Sequence, residues 1–71
     1  MSQLGADVRL ARAAISWSIS HDGSEEEVAD QLVALAGGNR TAVARALVRV
    51  PGGSPADELL RLTLARGQWS W

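Results

Sequence analysis

Between Leu4 and Ile19 the apolar residues recur at three- and four-residue spacing, the period of a helix and not of a strand. Leu10, Ala13, Ala14 and Trp17 fall on one face, and Leu4, Val8, Ala11, Ile15 and Ile19 fall on the adjoining one. Only Arg9, Arg12 and Ser16 form a clearly polar stripe. A helix so broadly apolar is either the central member of a bundle or has one face covered by a partner chain. The bundle is the expectation carried forward.

The run Ser20, His21, Asp22, Gly23 breaks the pattern, and Ser24 followed by Glu27 has the spacing of a capping box. A second helix therefore starts at Glu25, where three consecutive Glu favour the positive end of the helix dipole. Its buried stripe is expected to be Val28, Leu32, Leu35 and Ala36, and Gly37 with Gly38 supplies the left-handed backbone that stops it. Asn39 caps a third helix in which Val43, Ala46, Leu47 and Val50 share a face, and Pro51 with two glycines closes it. Ser54 caps a fourth, with Pro55 in the favoured first position and Asp57 and Glu58 in the first turn. No stretch alternates β-branched and aromatic residues, and there is no internal repeat or low-complexity tract. The spacing predicts an all-α fold: a compact four-helix domain, helices at about 4–19, 25–36, 40–49 and 55–66, with residues 1–71 forming one domain.

Composition sharpens this reading. At 71 residues the chain is at the lower edge of what one apolar core can stabilise, and with no Cys it has no disulfide or thiolate zinc site to help. Packing or oligomerisation must supply the stability. Every basic side chain is Arg and Ala is abundant, as the codon usage of a GC-rich bacterial genome would produce. No segment reaches the roughly 18 uninterrupted apolar residues of a membrane span. Asp7, Arg9 and Arg12 lie where a signal peptide would be apolar, so the expectation is a cytoplasmic protein that does not engage a membrane.

Little in the chain suggests chemistry. His21 beside Asp22, with serines nearby, is the one arrangement reminiscent of acid–base or nucleophilic catalysis. Neighbours on a capping loop rarely converge, and so short a chain can hardly wall a water-excluding cleft. One His, no Cys and three Glu pointing to different sides of a helix make a poor metal site. The Gly37–Gly38 and Gly52–Gly53 pairs lack the Lys and the preceding strand of a phosphate cradle. The sequence thus points to no enzyme, no cofactor, no metal and no small-molecule substrate.

The segment Gly38-Asn39-Arg40-Thr41-Ala42-Val43-Ala44-Arg45-Ala46-Leu47 resembles the first helix of the Fis-type helix-turn-helix of bacterial regulators. In that family a Gly-Asn pair opens the helix, a small residue at the position of Ala44 lets two helices approach, and a Leu packs at the position of Leu47. The resemblance implies DNA binding through the helix that follows. Here the family's Gly-Ile turn is replaced by Val48-Arg49-Val50-Pro51-Gly52-Gly53, and the next helix opens with Asp57 and Glu58, the wrong sign for phosphates.

The net charge of −1 conceals a polarised chain. Asp22, Glu25, Glu26, Glu27 and Asp30 gather before and within the second helix, whereas Arg40, Arg45 and Arg49 occupy the third. Glu26, Glu27 and Asp30 are expected on the outer side of helix two, and Arg45 and Arg49 on the outer face of helix three. Either these are solvated faces, or the acidic patch of one molecule meets the basic patch of another in a heterologous contact. Trp69 is expected to fold back near Trp17, leaving Trp71 as a candidate partner contact. Two functions follow. The first is a non-enzymatic interaction or adaptor module, similar in architecture to small helical domains of the death-fold kind, whose partner is a foreign protein or the chain itself. The second is a small helix-turn-helix regulator with Arg40, Arg45 and Arg49 near phosphates, disfavoured because such binders are normally basic.

Overall fold

The computed structural model describes residues 5–69, which fold into four helices and no strand: α1 (Ala6–Ser20), α2 (Glu25–Ala36), α3 (Arg40–Val48) and α4 (Pro55–Arg66). The bounds of α2 and α4 coincide with those expected. Helix α1 begins at Ala6, with Gly5 as its cap, and Leu4 lies outside the described residues. Helix α3 stops one residue early, at Val48, because the Arg49 N–H bonds back to the Ala46 carbonyl, a tightened last turn.

The caps explain why the boundaries fall where they do. The side chains of Ser24, Asn39 and Ser54 each accept from the backbone N–H three residues on, at 3.1, 3.2 and 3.2 Å. At α2 the box is closed differently from the usual reciprocal pattern: the Ser24 hydroxyl donates to the Glu27 carboxylate, at 3.2 Å, instead of the carboxylate accepting from the Ser24 backbone. Gly37 takes the left-handed conformation that ends α2, at φ 62°. His21 does the same for α1 at φ 51°, a conformation uncommon outside glycine.

Helices α1 and α4 each pack against all the others and form the central pair, while α2 and α3 lie diagonally across from one another and touch least. The core consists of Leu10, Leu32, Leu59, Leu60, Val43 and Val50 interleaved with buried alanines from every helix. The expected central place of α1 holds, but α4 shares it and buries Ala56, Asp57, Leu59, Leu60 and Thr63.

One expected core position, Leu35, is corrected. Leu35 is 42% exposed, and the small Ala29 takes the buried place on α2. The turn of the helix from Leu32 and Ala36 carries Leu35 to the flank, and the close approach of α4 admits an alanine there. The adjoining face of α1 splits: Ala11 is buried, whereas Ile15 and Ile19 are 37% and 79% exposed.

The two described tryptophans go to separate places. The Trp17 indole donates to the Gly23 carbonyl at 3.0 Å, and its ring meets His21, with centroids 4.9 Å apart. Trp69 does fold back against the core, but among the described residues the ring that meets Trp17 is His21 and not Trp69. The Trp69 indole donates to the Leu64 carbonyl at 2.9 Å and lies against Gly67, where any Cβ would overlap the ring. It thereby satisfies one of the carbonyls left open at the end of α4.

Candidate interaction surface

The charged residues singled out by sequence have different fates, because the fold supplies some of them with internal partners. On α2, Glu26 and Asp30 are one turn apart and both face α4. The Arg66 guanidinium donates to both oxygens of Asp30, at 2.8 and 3.0 Å, and lies 3.6 Å from Glu26. On α3, Arg49 reaches across to α1 and donates to Asp7 at 2.8 Å. The acidic patch is therefore partly neutralised by a residue of α4, and half of the basic patch by a residue of α1.

Glu27 accepts from its own cap Ser24, and Arg45 makes no ion pair among the described residues. Trp71 lies outside the described residues. Neither Asp7 nor Arg66 was foreseen as part of this surface, since each pair joins residues more than thirty positions apart and nothing local signals it.

These pairs contribute to the acid response of the domain. The hydrogen bond from Arg49 holds the Asp7 carboxyl below its ordinary value of 3.8. That from Arg66 does the same for Asp30, and in return Asp30 holds the Arg66 guanidinium above its usual value. A carboxyl depressed in the folded state contributes stability that is complete above its unfolded value and lost as the pH falls through the folded one. The thermal midpoint is therefore expected to fall as the pH drops below the ordinary carboxyl value of 3.8. Asp30→Asn, followed by circular dichroism, should flatten that fall; an unchanged profile would assign the acid response to other groups.

Apolar side chains complete the surface. Val48 is 86% exposed on α3, and with Arg45, Arg49 and Asp7 it lines a shallow depression between α3 and α1. Leu35 is exposed on α2, and Ile15 and Ile19 are exposed on α1 beside Arg12. The hydrophobic pattern gave Val48 no special place, because it lies just beyond the buried stripe of α3 and only the packing shows it exposed among the described residues.

The segments bearing on nucleic-acid and catalytic readings are placed as follows. Helix α4, which stands where a recognition helix would follow α3, is buried on one side against all three other helices. Its Asp57 is 5% exposed and takes a hydrogen bond from Arg61 at 2.9 Å. His21 is exposed on the left-handed turn that ends α1. Among the described residues, no three His, Asp or Glu side chains converge to hold a metal ion, and no helix is long and apolar enough to cross a membrane.

No protein-family profile, no curated protein and no solved structure matches the chain.

Proposed function

We propose that the chain is a non-enzymatic protein–protein interaction or adaptor module of the cytoplasm, which recruits or regulates a partner and is equipped by its acidic α2 and basic α3 to associate with itself. The observation that carries this reading is Val48, 86% exposed beside Arg45 and Arg49 in a domain where, among the described residues, every buried side-chain polar atom has a partner. An exposed apolar side chain rimmed by cations has the make-up of a contact, an apolar centre with a polar edge. Light scattering on the purified protein at several concentrations, with and without salt, is the first test. Mass that rises with concentration and falls with salt is the expected result.

A second reading, a helix-turn-helix regulator, has one observation in its favour: the Fis-like segment does form a helix capped by Asn39, with Arg45 and Arg49 lining a common depression. Its weakness is α4, whose inward burial and acidic first turn suit a core helix better than one laid in a groove. Gel shifts should therefore show weak, unspecific binding. Submicromolar, sequence-selective binding lost in both Arg45→Ala and Arg49→Ala would overturn the adaptor reading in favour of the regulator. Asp7→Asn is the control for the ion pair that Arg49→Ala also breaks.

A further inference from the structure

We infer that the domain assembles head to tail with further copies of itself, the Thr41, Arg45 and Val48 face of α3 on one copy seating on the Glu27, Gln31 and Leu35 face of α2 on the next. The inference rests on the interaction-module reading above and gives it a partner: a second copy of this chain.

The fold itself narrows the contact. Arg49, Glu26 and Asp30 already have partners within the molecule, so recruiting them to a neighbour means breaking an existing ion pair. What remains on α3 is Arg45, one turn after Thr41 and three residues before Val48, all three exposed on one side of the helix. On α2 the corresponding side carries Glu27, Gln31 and Leu35 at four-residue spacing, all exposed, and among the described residues Glu27 is engaged by its own cap Ser24. Each face thus joins one charge that makes no ion pair among the described residues to one exposed apolar side chain, and the two charges are opposite in sign. Arg45 against Glu27 and Val48 against Leu35 satisfies both at once.

The placement of the faces decides what kind of assembly results. Helices α2 and α3 are the pair that touch least, so the two faces are separate surfaces of the domain. A contact between unlike faces is heterologous, and with two separate faces each copy can hold two neighbours. The product is a ring or an open chain of more than two copies. Two single helix faces make a small interface, at the transient end of the size range, so growth belongs to high concentration and low salt.

The test uses charge exchange at these two exposed positions. The wild-type mass, by sedimentation at rising concentration and low salt, should pass beyond that of a dimer. Arg45→Glu alone and Glu27→Arg alone should each weaken association by about tenfold or more, because each brings like charges face to face. Combining both changes in one chain, or mixing the two variants, should restore growth. Val48→Ser, which leaves both charges in place, should weaken it as well, and circular dichroism verifies that every variant keeps its helices. A mass that stops at the dimer, or growth indifferent to the reversals, would overturn the inference. So would a wild type that stays monomeric, and in that case the adaptor reading stands with a foreign partner.

Discussion

Leu59→Ala leaves the domain predominantly unfolded at room temperature. The Leu59 side chain is fully buried on α4, the helix that touches all the others, and truncating such a leucine costs about 2–5 kcal/mol once the residual cavity is included. A single core in a chain of this size rarely supplies more than about 3–5 kcal/mol in all, with no disulfide to add to it. The loss is therefore comparable to the whole stability. Urea titration followed by helical circular dichroism should show little or no folded baseline. Leu35→Ala, at a position 42% exposed, should keep a cooperative transition with a small shift. Equal damage from the two substitutions would mean that Leu35 is core, as the hydrophobic pattern by itself suggests.

Ala46→Leu is expected to be nearly as damaging, for the opposite reason. Seven of the thirteen buried apolar residues are alanines, so the helices meet through small side chains and have little free space between them. Ala46 is fully buried, and forcing extra carbons into a packed interior costs about 1–3 kcal/mol in displaced rotamers and backbone. The urea midpoint should drop sharply, whereas Ala44→Leu, at a half-buried position, should be milder. The comparison is informative because the Fis-type resemblance makes Ala44 the position that must stay small. Greater damage at Ala44 than at Ala46 would show that the helices approach through the surface that family uses.

The helices were legible because their ends are written locally. Ser24, Asn39 and Ser54 cap within their own first turns, Pro55 fits only the start of a helix, and Gly37 fits the end of one. Periodicity also identified Leu10, Leu32 and Val43 as buried. It misplaced Leu35 against Ala29, since a helical stripe is wide and only the neighbouring helix determines which edge of it is covered. The charged surface was harder to foresee for a related reason. Sequence shows that Glu26, Glu27 and Asp30 share a helix with one another and Arg45 with Arg49. Whether Arg66 or Asp7 reaches them depends on how four helices come together, and that information is spread over every core contact at once.

The position of α4 has a consequence for how the chain is made. The helix against which α1, α2 and α3 all pack is the last of the four to be synthesised, spanning Pro55–Arg66. While the ribosome still holds that segment, the first three helices have half a core: Leu10, Leu32 and Val43 face the space that Leu59 and Leu60 will fill. Short helices without tertiary partners are marginal in water, so the nascent chain stays largely unfolded until α4 emerges. Folding of this domain is then a single event that waits for α4, and a stop codon anywhere before α4 would release a chain with no stable fragment to accumulate.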